Sequence, residues 1–254
     1  MVDPADGAGV KHVFRFIVTA TPEAGQVVAL SEEDSHHLAR VVRRGPGDAV
    51  ELIDPQGRVW GGVVVGAGPP ATVRVAAAEP VERPPAPVAL YLGLAEWGRI
   101  DTAVEKAVEL GAEEVTLFVS ERAGRVPDAD AWERRRERLE RVAQAAARQC
   151  GRAPLRRVRG LVPFPGVIAE IPAGEGFLID PRGDAPLLSA LGAPGRPDAR
   201  IAVVVGPQAG FSEAEVSLAR GAGMPVCTLG PSILRAETAA IAAVTLAAAV
   251  HEAR

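Results

Sequence analysis

Short segments rich in valine and isoleucine follow one another along the first 80 residues, and turn-forming residues separate them. Their partial alternation of apolar and polar positions predicts β-strands. The predicted strands cover residues 12–18, 49–53, 58–65 and 72–76. Residues 31–42 are instead predicted to be helical, with Ser31 as the cap and Asp34 three positions later. Short strands at this spacing predict a small β-barrel.

A proline-rich stretch follows these strands, with four prolines between Glu79 and Pro87. Proline cannot continue a helix or the interior of a sheet, because it lacks the backbone N–H group. We therefore predict a stiff linker at residues 80–87, which separates a first domain (1–79) from a second domain (88–254).

In the second domain the pattern changes to apolar segments that alternate with helical ones. The predicted strands cover residues 88–94, 115–119, 176–179, 201–205 and 225–229. Several are apolar without interruption, as parallel strands buried on both faces require. The predicted helices include one that ends at Gly111, an arginine-rich one at 132–150 and a last one at 236–250. The fold class is therefore α/β, with an open, mostly parallel sheet.

The last predicted helix is apolar on nearly every side, so we expect it to be buried on most sides. Its apolar run, residues 239–250, is too short to span a bilayer. The first ten residues hold no apolar run, so no secretory signal is expected. These features predict a soluble, cytoplasmic protein.

Composition narrows the possible functions. The chain has 254 residues, of which 48% are apolar and 24% charged, as in a globular protein. Aromatic residues make up only 4%, which argues against a broad platform for base stacking. The two cysteines, Cys150 and Cys227, are far apart, and the four histidines form no HExxH motif. We therefore predict neither a disulfide framework nor a metal site.

The formal net charge is −4, but the basic residues are unevenly placed. All but two of the 28 are arginine, and ten arginines lie between residues 132 and 159. A second cluster consists of Arg40, Arg43 and Arg44. One interpretation is a nucleic-acid-binding patch on an otherwise acidic protein. The alternative is a solvated helix face with Glu–Arg pairs at four-residue spacing.

The first candidate site is the glycine-rich segment 205–212, which follows a predicted strand and precedes a helix. Ser212 and Glu215 form a capping-box pattern that would begin this helix. Ligands bind at the carboxyl ends of strands in open α/β sheets, although an ordinary turn would look similar. The segment lacks the patterns of a P-loop or a dinucleotide fold, and the chain contains no GxSxG motif.

The second candidate site is segment 229–239, where a predicted strand turns into the apolar last helix. Arg235 and Glu237 are the only charged residues between Arg220 and His251. Charges beside a buried helix are costly unless they are paired or used. Either Arg235 and Glu237 form a structural ion pair at the helix start, or they take part in chemistry.

Both candidate sites carry the motifs of a known family. Residues 206–210 resemble a GPEGG-type loop, and residues 229–239 match the pattern LGxxILRxETA almost completely. Four further segments resemble family motifs in the right order: 42–48 (VLRxxxGD), 99–111 (R…QKxxELG), 120–122 (SER) and 149–152 (EQxxR). The chain thus resembles the SPOUT class of RNA methyltransferases, and within it the family that methylates N3 of a uridine in 16S ribosomal RNA. It departs from the family pattern at Arg148, Gln208 and Ala209.

This resemblance implies a trefoil-knotted methyltransferase domain that binds S-adenosylmethionine in a bent shape. It also implies a PUA-like β-barrel as the first domain, and a homodimer with the active site near the subunit interface. The implied partner is 16S ribosomal RNA or a small-subunit ribosomal particle. A ribose 2′-O-methyltransferase of the same superfamily and a non-catalytic ribosome-assembly protein stay as alternatives.

The resemblance also implies roles for individual residues. The implied cofactor-binding residues are Leu178, Gly206, Pro207, Gln208, Gly210, Leu229, Gly230, Ile233, Leu234, Thr238 and Ala239. Together with the charge pattern, it implies RNA binding by Arg40, Arg43, Arg44, Arg122, Arg134, Arg138, Arg141 and Arg152. Arg235 and Glu237 are the implied catalytic residues. Because a guanidinium stays protonated, Arg235 is expected to stabilise the uridine anion, not to act as a base.

Overall fold

We describe residues 14–76, 88–150, 157–192 and 200–252 in a computed structural model of the chain. The chain divides into two compact units, Met1–Pro84 and Pro85–Arg254. The predicted linker at 80–87 lies outside the described residues.

The first unit contains one sheet of five strands in the order β1-β3-β4-β5-β2. Strand β1 pairs with β3 in parallel, and the other pairs are antiparallel. The strands are β1 (Phe14–Ile17), β2 (Val27–Ala29), β3 (Ala49–Ile53), β4 (Val59–Gly66) and β5 (Thr72–Val75). Their buried side chains, among them Phe16, Leu52, Trp60 and Val73, form one apolar core. The four predicted strands are confirmed, and β2 was not predicted.

The predicted helix of the first unit changes its type along its length. Helix α1 (Glu32–His36) begins after Ser31, whose Oγ accepts a hydrogen bond from the backbone N–H of Asp34 at 3.0 Å. The predicted cap is therefore confirmed. Residues His37–Val41 then form a single π-helical turn, a feature often found at functional sites.

The second unit contains a sheet of seven strands in the order β10-β12-β9-β11-β6-β7-β8, and every pair in it is parallel. The strands are β6 (Val88–Gly93), β7 (Glu114–Val119), β8 (Arg157–Pro163), β9 (Gly176–Ile179), β10 (Ala185–Pro186), β11 (Ile201–Val205) and β12 (Val226–Thr228). The helices are α2 (Trp97–Glu109), α3 (Ala129–Cys150), α4 (Phe164–Glu170), α5 (Leu187–Leu191), α6 (Glu213–Gly221) and α7 (Ala236–Glu252). The predicted parallel α/β architecture is confirmed.

The central strands β6, β9 and β11 are buried at every position, because helices cover the sheet. Helix α7 packs against β6, β11 and α2, and α4 packs against α6. The rings of Phe118, Phe164 and Phe211 contact one another in the core. All strands point the same way, so all of their carboxyl ends lie at one edge of the sheet.

The burial predicted for the last helix is only partly confirmed. Helix α7 buries Ala240, Ala243 and Ala247 against the unit, but Thr238, Thr245 and Ala249 are exposed. The helix lies on the outside of the sheet, so a single chain can cover only one of its faces.

Candidate functional site

A cavity of about 320 Å³ opens at the carboxyl edge of the second sheet, where the loops after β9, β11 and β12 meet. Its volume falls in the range of small-molecule sites. From the loop after β9 it is lined by Ile179, Asp180 and Pro181. From the loop after β11 it is lined by Val205, Gly206, Pro207, Gln208, Gly210 and Phe211. From the loop after β12 and the first turn of α7 it is lined by Leu229, Gly230, Ser232, Ile233, Leu234, Arg235, Ala236 and Ala239.

The cavity brings together most of the residues that were expected to bind a cofactor. Nine of them line it: Gly206, Pro207, Gln208, Gly210, Leu229, Gly230, Ile233, Leu234 and Ala239. The other two expected residues, Leu178 and Thr238, do not line the cavity. The side chain of Leu178 is fully buried in the core of the sheet, and Thr238 lies on the exposed face of α7.

Glycine shapes the loops around the cavity. Gly230 has a φ of 117°, a conformation that side chains rarely allow, and open space surrounds the position of a Cβ there. At Gly93, by contrast, a Cβ would lie 2.5 Å from the backbone nitrogen of Pro207. Strand β6 therefore contacts the β11–α6 loop directly and holds its backbone close to the sheet.

Glu215 fixes the β11–α6 loop from the other side. Its Oε2 accepts hydrogen bonds from the backbone N–H of Ser212 at 2.8 Å and from Ser120 Oγ at 3.0 Å. Its Oε1 accepts one from the backbone N–H of Glu121 at 2.9 Å. The predicted capping box is confirmed, and the same carboxylate also binds the SER segment to the loop.

Arg122, the third residue of the SER segment, also contacts this loop. Its Nη1 donates a hydrogen bond to the carbonyl oxygen of Ala209 at 3.3 Å. Arg122 was expected to bind RNA; it is exposed in the β7–α3 loop, and its side chain contacts the β11–α6 loop.

Asp180 lines the cavity but was not among the predicted residues. Its carboxylate accepts hydrogen bonds from Arg182 Nε at 2.8 Å and Nη2 at 2.9 Å, and Nη2 also donates to the carbonyl of Phe211. Burial alone would raise the pKa of Asp180, but these bonds from Arg182 lower it. A signal was present in the sequence, because Asp180 is an acidic residue directly after a buried strand. The other two loops also directly follow predicted strands.

Arg235 and Glu237 do not form the structural ion pair that was considered. Glu237 Oε1 accepts a hydrogen bond from Arg99 Nη1 at 2.8 Å, and its Oε2 is buried without a partner among the described residues. Arg235 lines the cavity, is exposed, and forms no ion pair within the described parts of the chain. Glu237 is not part of the lining. Arg99 is therefore a neighbour of the site that sequence reasoning did not identify.

The arginine-rich helix α3 combines both interpretations of its charge. Arg134, Arg138 and Arg141 are exposed and line one groove of about 340 Å³ with Arg135. Arg138 donates to Asp101 at 2.6 Å. Two further residues of the helix are held by neighbours: Arg136 by Glu133 and Glu140, and Arg135 by the ring of Trp97. Arg152 lies outside the described residues.

The second arginine cluster belongs to the first unit. Arg40 and Arg43 are exposed, and Arg43 has a φ of 52°, which is uncommon for a residue other than glycine. The guanidinium of Arg44 lies 5.3 Å from the ring centre of Phe14 and forms an ion pair with Asp48. These contacts leave Arg40 and Arg43 as the accessible charges of the cluster.

Two further classes of site are absent from the described ranges. No three His, Cys, Asp or Glu side chains there are grouped as metal ligands would be. None of the described helices combines the length and the apolar character that crossing a membrane requires.

Comparison with known proteins adds independent information. A family model described as an RNA methyltransferase domain matches residues 82–248, and an RNA methyltransferase PUA domain model matches residues 30–74. The ribosomal RNA small subunit methyltransferase E of Mycobacterium bovis is 30% identical over 235 residues, which cover 90% of this chain and 88% of the relative. The Synechocystis protein of the same name is 27% identical over 89% of this chain and 74% of the relative.

A solved structure is similar over nearly the whole chain. It is a ribosomal RNA small subunit methyltransferase E from Neisseria gonorrhoeae bound to S-adenosyl methionine, with 26% identity and a TM-score of 0.79. The match covers 92% of this chain and 95% of that one. The chain therefore belongs to the ribosomal RNA small subunit methyltransferase E family: it is an RNA methyltransferase of the SPOUT type with an N-terminal PUA domain.

Proposed function

We propose that the protein transfers the methyl group of S-adenosylmethionine to N3 of a uridine in 16S ribosomal RNA. The observation that carries this proposal is the position of Arg235, an exposed arginine at a loop-lined cavity, without an acidic partner among the described residues. It lies within the LGxxILRxETA segment that resembles the uridine-N3 family. In this protein a free guanidinium is thus available to a substrate beside the cavity.

The cavity fits S-adenosylmethionine in size and in chemistry. Its walls are mostly apolar side chains and glycine backbone, and open space surrounds the Cβ positions of Gly210 and Gly230. Ala209, one of the two departures in the loop, is not part of the lining and turns its carbonyl to Arg122. Bound there, S-adenosylmethionine would supply a methyl group already activated by its sulfonium.

Arg235 would act on the charge of the uridine. The N3–H of uracil is a weakly acidic imide, and N3 becomes nucleophilic when this proton leaves. A guanidinium remains protonated at neutral pH and cannot remove the proton, but it favours the anion by charge and hydrogen bonding. Because N3 is hidden in a base pair, the uridine must be unpaired or flipped out.

We also propose a homodimer that acts in the cytoplasm on 16S ribosomal RNA or on a small-subunit particle. The exposed face of α7 supports the dimer, because it consists of threonine and apolar side chains that a single chain leaves uncovered. The trefoil knot implied by the resemblance also belongs to this proposal.

The proposal is tested by mass spectrometry of 16S ribosomal RNA nucleosides from a strain that lacks the gene. We expect 3-methyluridine to be missing there, to return with the wild-type protein, and to stay missing with Arg235→Ala. Loss of a 2′-O-methylated nucleoside instead would indicate ribose methylation. An unchanged nucleoside profile would contradict the enzymatic proposal and favour a role in ribosome assembly.

A further inference from the structure

A second cavity, of about 460 Å³, lies beside the candidate cofactor cavity. Residues of the β6–α2, β7–α3 and β11–α6 loops line it. We propose that it binds a backbone phosphate of the RNA strand that carries the methylated uridine. This inference rests on the proposed function and adds a contact for the RNA backbone to the same site.

The position of the second cavity follows from the order of the strands. In the sheet, β6 lies between β11 and β7, so the three lining loops leave neighbouring carboxyl ends. Pro207 and Gln208 line both cavities, so the β11–α6 loop is the wall between them. An RNA strand whose target base reaches the first cavity would have its neighbouring backbone within reach of the second.

The charge of the second cavity favours an anion. Arg125 is exposed and forms no hydrogen bond or ion pair within the described residues. Arg122 uses Nη1 for the carbonyl of Ala209, so other N–H groups of its guanidinium remain available. The one acidic residue of the lining, Glu96, lies 3.2 Å from Arg99 Nε, which offsets part of its charge because Arg99 also pairs with Glu237. The lining therefore carries two guanidinium groups against one carboxylate, so its net charge is positive.

The chemistry of the lining favours a phosphate over a base. No lining residue is aromatic, so this cavity offers a base no ring for stacking. Guanidinium groups bind phosphate oxygens through two parallel hydrogen bonds. The β7–α3 loop that carries both arginines is also fixed at its start, because Ser120 and Glu121 donate to Glu215. The site is thus partly organised before RNA binds.

The first test is the change Arg125→Ala, with RNA affinity measured at several salt concentrations. We expect affinity to fall about fivefold or more. The slope of log affinity against log salt should become less negative by about 0.7, the value for removing one phosphate interaction with a single strand. The control is Arg220→Ala. Arg220 lies at the end of α6, pairs with Asp184 and is outside both cavities, so affinity and slope should not change.

A second test locates the phosphate. Single methylphosphonate linkages, which carry no charge, are placed one at a time near the target uridine of a short RNA. One of them should weaken binding to the wild type but not to Arg125→Ala, because the variant no longer has the guanidinium that binds this phosphate. Binding of Arg125→Ala with unchanged affinity and slope would overturn the proposal, and so would equal weakening of both proteins by every linkage.

These outcomes are separate from those that test the proposed function. Calorimetry with S-adenosylmethionine should give the same affinity for the wild type and Arg125→Ala, because Arg125 does not line the first cavity. A wild type that binds RNA through Arg125 but neither binds S-adenosylmethionine nor methylates RNA would contradict the proposed function alone. RNA affinity needs no turnover, so the phosphate site is tested in either case.

Discussion

Two arginines beside the start of α7 differ in their contacts, which the sequence alone could not show. Arg99, 138 residues before Glu237 in the chain, donates to its carboxylate. A largely buried carboxylate needs such a partner, because an unpaired charge in the protein interior is costly. Arg235 is therefore not needed for the ion pair, and its charge is available at the cavity.

The sharpest prediction at this scale concerns Arg235→Lys. Lysine keeps the charge but loses the planar guanidinium, which can contact a uracil oxygen through two N–H groups. We expect the single-turnover methylation rate to fall tenfold or more, about 1.4 kcal/mol of transition-state stabilisation. The affinity for S-adenosylmethionine and the melting temperature should change little, since Arg235 is exposed and unpaired in the described structure.

Arg99→Ala is the matched control for this prediction. It leaves Glu237 without its partner, so we expect a lower melting temperature, whereas Arg235→Ala should melt like the wild type. If Arg235→Ala is destabilised but methylates at the wild-type rate, Arg235 has a structural role and is not a catalytic residue.

At the scale of elements, the strands with uninterrupted apolar sequence were the most predictable. Strands β9 and β11 have the predicted bounds, because burial on both faces requires apolar residues at every position. Strand β8 and helix α4 were not predicted. Their sequences, RVRGLVP and FPGVIAE, mix charges, glycine and proline, so neither shows a clear strand or helix pattern. Tertiary contacts stabilise both elements: β8 lies beside β7, and α4 packs against α6.

The candidate site was predictable to the extent that it lies at strand ends. The loops after β11 and β12 were identified because each combines glycine with a following helix. The loop after β9, with Asp180, was missed, although it lies at the same edge of the sheet. The pair of Arg99 and Glu237 could not be predicted, because its partners come together only when α2 packs against α7.

Helix α3 allows a test of RNA binding at this scale. We predict that replacing Arg134, Arg138 and Arg141 together by alanine weakens RNA binding for all sequences. The salt slope should become less negative by about 0.7 for each phosphate that the helix no longer binds. The reason is that these exposed side chains share one groove, in which Arg134 and Arg141 form no ion pair among the described residues, whereas Arg138 pairs with Asp101. The measurement is RNA affinity at several salt concentrations.

Arg136→Ala is the control on the same helix, because Glu133 and Glu140 hold its guanidinium. It should leave RNA affinity nearly unchanged. A triple variant that binds RNA like Arg136→Ala would mean that the arginines of α3 form only a solvated face.

At the scale of the whole molecule, α7 connects the candidate site with assembly. Its first turn carries Ala236 and Ala239, which line the first cavity, and its buried face packs on β6 and β11. Its other face, which includes Thr238, Thr245 and Ala249, is exposed in the single chain. A helix this apolar is typical of an element covered on most sides, so the exposed face is our candidate interface for the proposed homodimer.

Thr245→Arg tests this arrangement, since Thr245 lies midway along the exposed face of α7. An added arginine is harmless at the surface of a monomer, but in a dimer interface it would bury an unpaired charge. We expect light scattering to give twice the chain mass for the wild type and a single-chain mass for the variant. Methylation should fall at least tenfold and recover in part at high protein concentration, because the proposed active site is near the interface.

Leu218→Arg, which adds the same charge at an exposed apolar position of α6, should stay dimeric and active. A Thr245→Arg protein that remains a fully active dimer would show that α7 is not the interface.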